Sequence, residues 1–241
     1  MKIWEIYPNL VAAIKRTHNE TVRDTGEAMF YCHDFDHVIR VADMAMRIAD
    51  DENAGRLAAV AALCHNADRI LQKLRKLGPF GEVPDPDVVG LVEDWLKNET
   101  ADSFSSDDRG LITNAVLNHP KRNSETDSPI LVCLKDADRI VNTAPDIVVR
   151  KGQYFGERLP VVDPVHLLKD PEATFARPGS LIRAILFDLE DFQRERGVAS
   201  LRLPKARRIA AANFKFLKDF LDAVIEERIE AGLVPYPEEL R

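Results

Sequence analysis

Four short stretches of this chain set an ionisable side chain among apolar neighbours: HDFDHVIRV (33–41), LCHNADRI (63–70), VLNHP (116–120) and LKDADRI (134–140). They offer His37, His65, His119 and Asp138. Imidazole nitrogen with carboxylate oxygen suits Mn, Fe, Co, Ni or Zn, and with fewer His also Mg. A divalent ion so held polarises a phosphoryl oxygen and lowers the pKa of a bound water toward neutrality. Each His taken alone also reads as a hydrogen-bonded core residue, and Asp138 as a tie between helices. The separations of 28, 54 and 19 residues between successive candidates do not choose between these readings.

The elements that must position these groups read at helical period almost throughout. A first helix is predicted over about 8–24, with Leu10, Val11, Ile14 and Val22 inward. The next, from Phe35 to Asp50, has a polar face of Asp36, Arg40, Asp43, Arg47 and Asp50. His37 falls on the opposite stripe with Val41, Met44 and Ile48, where an ionisable ring needs a partner. Residues 55–66 are apolar nearly all round, as in a central buried helix that ends at His65 and Asn66. Helices are predicted over about 86–98, 106–118, 129–143, 180–196 and 204–231. Pro120 stops the helix over 106–118 just after His119. The stretch 152–180 carries four prolines and no sustained period, the profile of an irregular functional segment. The architecture expected is all-α, a single-domain helical bundle over 1–241 with one long irregular segment.

Composition narrows the function classes. The 241 residues suffice for one sizeable core. A net charge of −7 argues against general nucleic-acid binding, yet leaves room for a local basic cluster that takes a phosphate. No apolar run approaches the ~18 residues of a bilayer span, and MKIWEIYPNL lacks a leader pattern. Cys32, Cys64 and Cys133 read as buried free thiols. Cytoplasmic residence, with no membrane partner, is the expectation.

The run from His33 to about Arg150 resembles the HD-domain superfamily of metal-dependent phosphohydrolases. Its pattern is a first His, a His-Asp doublet ending the next helix, and a distant Asp. D-H-V-I-R-V resembles the first element and supplies His37, L-C-H-N-A-D-R the doublet at His65 and Asn66, and D-A-D-R-I the last, at Asp138. The HD-like core is accordingly placed at about 30–150, with C-terminal helices over 180–232. The resemblance implies an ion on His37, His65 and Asp138, with Asn66 as fourth ligand. His119 matches a further pocket His, a second-metal ligand or substrate contact. Arg40, Arg69, Lys121 and Arg139 are the candidates for binding substrate phosphate. Arg69 and His119 would also act on the reacting phosphate, and Asp68 would accept a proton. His33-Asp34 is a literal His-Asp pair, but Asp34 reads better as the cap of the following helix.

The departure from the pattern is Asn66, where the doublet has Asp. It leaves open a weaker single-metal site, a site rebuilt with Asp68 or Asp136, or a scaffold without catalysis. Two functions are therefore carried forward. One is hydrolysis of a phosphate ester or anhydride of a small molecule, a nucleotide included. The other is a catalytically silent HD scaffold that binds a ligand or partner. Ile209, Phe216, Phe220 and Ile229 on the last helix are its candidate homodimer seam.

Overall fold

The structure, a computed structural model, describes residues 2–30, 33–78, 81–100, 103–162, 178–193 and 200–232. Helices α1 (Ile3–Ile6), α2 (Pro8–Thr25), α3 (Phe35–Ile48), α4 (Glu52–Cys64), α5 (Ala67–Leu74) and α6 (Asp85–Glu99) come first. They are followed by α7 (Ser106–Asn118), α8 (Pro129–Asn142), α9 (Ile147–Phe155), α10 (Leu181–Gln193) and α11 (Pro204–Glu230). No strand occurs among the described residues, so the fold is all-α. None of these helices is long and apolar enough to cross a membrane.

The boundaries have local causes. Pro8 opens α2, and Gly26, at φ +67°, closes it in the left-handed conformation a glycine adopts without strain. Asp34 and Asp51 cap α3 and α4 by accepting the backbone N–H of His37 and Ala54. Ser105 and Asp108 cap α7 reciprocally. Leu10 and Ile14 of α2 are buried as expected, whereas Val22 is exposed.

α4 is buried on every side from Leu57 to Cys64, which its small side chains permit. It packs most extensively on α3 and also on α7. A Cβ on Gly55 of α4 would stand 2.8 Å from Ala49 Cβ, at the C-cap of α3. α3, which carries His37, and α7, which ends at His119, are thus both held against α4.

The contacts divide the chain into two compact units where the sequence shows no boundary. One comprises Met1–Val141 with Leu201–Ala206, and the other Asn142–Ser200 with Arg207–Arg241. In the first, residues 201–206 return to α8. Asp136 Oδ2 accepts the backbone N–H of Arg202 and of Leu203, both at 2.8 Å. The Arg202 guanidinium and the Lys135 ammonium share the Asp127 carboxylate at 2.9 and 2.8 Å.

The second unit has its own core of Ile147, Ile182, Ile185, Leu189, Leu217 and Leu221. Phe220 of the predicted seam packs on this core, while Phe216 and Ile229 are exposed. The stretch expected to be irregular begins in regular structure. α9 runs to Phe155, and the carbonyls of Pro160 and Val161 accept the first N–H groups of α10. Residues 163–177 of that stretch lie outside the described residues.

Candidate metal centre

His37 enters the centre from the first turn of α3, where the Asp34 cap fixes the helix start and turns the ring onto the buried stripe. His65 closes α4. Its Nδ1 lies 2.6 Å from the Ala62 carbonyl, so Nδ1 carries the proton and Nε2 keeps its lone pair. Asp138 comes from the last turns of α8. Its Oδ1 is 3.2 Å from His37 Nε2 and 4.0 Å from His65 Nε2, and the two Nε2 atoms are 3.2 Å apart.

A point equidistant from these three atoms lies about 2.0 Å from each, the length of a bond from Zn or a similar ion to imidazole or carboxylate. Among the described residues this is the group of His, Cys, Asp or Glu side chains that converges closely enough to hold an ion.

Charge supports the same reading. Burial pushes the Asp138 carboxyl up, but the His37 bond and the His37, His65 and His119 imidazoles beside it outweigh it. They hold Asp138 well below the usual carboxylate range. Burial holds His65 well below the ordinary imidazole value despite Asp138 beside it, so the ring is neutral and able to ligate.

Residues 34–143 match the family model of the HD domain. This segment is an HD domain. It runs from the cap of α3 to the end of α8 and contains all three converging ligands. HD domains bind divalent metals and typify metal-dependent phosphohydrolases. No curated protein and no solved structure matches the chain.

Around the HD-domain triad the rings form a row. His33 is 5.2 Å from His37, His37 is 5.2 Å from His65, and His65 is 5.1 Å from His119, centroid to centroid. His119 ends α7 as His65 ends α4, with Nδ1 2.7 Å from the carbonyl three residues back. His33 repeats that bond on Phe30 at 2.8 Å. Burial, with His37 and Arg69 beside it, pushes His33 down to about 3. Sequence reasoning set His33 aside, and only its position against His37 brings it to the site.

Asn66 follows His65 in the turn between α4 and α5. The sequence reading ended one helix there; the structure makes it a junction between two. Asn66 Nδ2 donates to the His33 carbonyl at 2.9 Å, and Oδ1 is buried without a partner. Neither carboxylate considered as its replacement joins the triad. Asp136 is turned to the backbone of Arg202 and Leu203, a correction to the rebuilt-site alternative. Asp68 takes the N–H of Arg69 at 2.8 Å and lies 3.6 Å from its Nε.

Beside His65 and His119 opens a cleft of about 810 Å³, also lined by Asp68, Arg69, Gln72 and Lys121. Arg69 is steadied by Gln72 at 3.1 Å, and Gln72 in turn donates to the Gly81 carbonyl at 2.8 Å. Arg40 and Arg139 are not part of this lining. Arg40 stands 3.9 Å from Asp36 on α3, and Arg139 donates to Asn123 at 2.9 Å. Cys64 and Cys133 are buried free thiols, and Cys32 lies outside the described residues.

Proposed function

We propose that this protein is a metal-dependent phosphohydrolase acting on a phosphate ester or anhydride of a small molecule. The observation that carries the reading is the junction of the His37–His65–Asp138 triad with the cleft through His65. A divalent ion there would supply Lewis acidity for transfer of a phosphoryl group to water. Arg69 and Lys121 bind the phosphate oxygens, Arg69 in an orientation set by Gln72. His119, whose Nδ1 proton is committed to Val116, presents its Nε2 lone pair to the same space. Asp68 holds the proton released. A cleft of about 810 Å³ takes ligands up to the size of a nucleotide.

The test is a phosphate-ester and nucleotide screen after loading with Mn²⁺, Co²⁺ or Mg²⁺, with His65→Ala as control. Metal-dependent turnover abolished in the variant supports the reading. A second reading, a catalytically silent HD scaffold, is favoured by one observation, the absence of the doublet's carboxylate at Asn66. It predicts no turnover with any metal.

A further inference from the structure

Asn66 is 1% exposed, and its two amide ends have different fates. Nδ2 donates to the His33 carbonyl, which fixes the orientation of the group, since the flipped amide would set one carbonyl oxygen against another. Oδ1 is then left buried with no hydrogen-bond partner. A buried, unsatisfied amide oxygen is rare and costly, and wants a donor or a cation. The residue before it is His65, one of three ligands that converge on a common point.

We infer that Asn66 works from both ends of its amide, Nδ2 tying down the His33 segment and Oδ1 serving as a neutral fourth ligand to the ion. The inference rests on the metal-centred reading proposed above. It makes the residue an exchange of charge for anchorage. An ionised Asp at this position has no N–H, so it would turn an oxygen toward the His33 carbonyl and release that segment. The His33 ring leans on His37, which places the tie one residue behind a ligand.

The exchange has a consequence for metal choice. Two imidazoles, one carboxylate and one amide oxygen leave a divalent ion with an uncompensated positive charge. Such a set selects imidazole-preferring ions such as Co²⁺, Ni²⁺ or Zn²⁺ over Mg²⁺, whose affinity depends on anionic oxygen. The residual charge also favours a phosphate dianion as substrate.

The experiment is Co²⁺ titration of the full chain, followed by its visible absorption and by competition with a chromophoric chelator, beside thermal melting of the metal-free protein. Wild type, Asn66→Ala, Asn66→Asp and His65→Ala are compared. Asn66→Ala should lose about 10–100-fold in Co²⁺ affinity, with shifted absorption bands. Asn66→Asp keeps an oxygen ligand, so it should hold Co²⁺ and gain affinity for Mg²⁺, yet melt lower when metal-free. Wild-type affinity and spectrum in both variants overturn the ligand role. A metal-free Asn66→Asp that melts as high as wild type overturns the tie. Failure of the wild type to bind Co²⁺, or full binding by His65→Ala, instead overturns the metal centre on which the inference stands.

Discussion

Asp136 and Asp138 stand two residues apart on α8 and are turned to opposite tasks. Asp136 holds the backbone of Arg202 and Leu203, and burial pushes its carboxyl up against those two bonds. Asp138 faces His37 and is held down by the imidazoles around it. One helix thus carries a carboxylate tied to the backbone and one that faces the candidate metal centre, and mutation should separate them. Asp138→Ala should lower metal affinity by about a hundredfold or more while the protein still folds. Asp136→Ala should leave two backbone N–H groups without an acceptor and lower stability by about 2 kcal/mol with the metal still bound. Urea unfolding and metal titration of both variants check this. Loss of metal in Asp136→Ala alone would reverse the assignment.

Arg69 and Arg40 provide a matched pair on the substrate side. Arg69 lines the cleft, whereas Arg40 lies beside Asp36. Arg69→Ala should lower kcat/KM by about 10²-fold. Arg40→Ala should leave it within about twofold. Steady-state kinetics on any substrate that the screen yields decides the point, and equal losses would remove Arg69 from its proposed role.

The Asp127 carboxylate is the counter-charge of the Lys135 ammonium, which is 1% exposed. Burial pushes Asp127 up, but bonds from Lys135, the Ser124 N–H and Arg202 outweigh it and hold it below its ordinary 3.8. The folded value therefore lies below the unfolded one. Its contribution is complete above about pH 4 and is lost as pH falls through the folded value. Asp127→Ala should cost about 3 kcal/mol at neutral pH by stranding Lys135. It should also flatten the decline of stability in acid, read as urea midpoints between neutrality and pH 3.

Gly55→Ala tests the approach of α3 and α4. Alanine is favoured by about 1 kcal/mol at an ordinary helical site. Here its methyl would come within 2.8 Å of Ala49 Cβ. A net loss of about 1–2 kcal/mol is expected, because the crowding outweighs the propensity. A more stable variant in denaturant titration would mean that the two helices separate readily.

Most helices were legible in the sequence because their signals are local. Asp34, Pro8 and Pro120 mark ends within a residue or two of those observed, and the stripe through His37, Val41 and Ile48 is buried as its period required. Ala67–Leu74 was missed, since eight residues offer barely two turns of pattern. The convergence of His37, His65 and Asp138 could be named only through family resemblance, for no spacing along the chain encodes distance in space. His33 at the site, and the backbone of Arg202 and Leu203 as the partner of Asp136, were illegible for a related reason. Each is defined by partners that lie elsewhere in the chain. Arg40 and Arg139 illustrate the converse, because nearness in sequence to a ligand did not bring them to the cleft.

The return of residues 201–206 to α8 also separates two kinds of boundary. The matched segment ends at residue 143, but the groups that donate to Asp136 Oδ2 and share Asp127 with Lys135 arrive some sixty residues later. A fragment cut at the family boundary would keep all three converging residues and lose the donors that bond to α8, the helix of Asp138. The segment that matches the family and the compact unit that contains most of it are therefore different lengths of chain. Here the longer one is discontinuous.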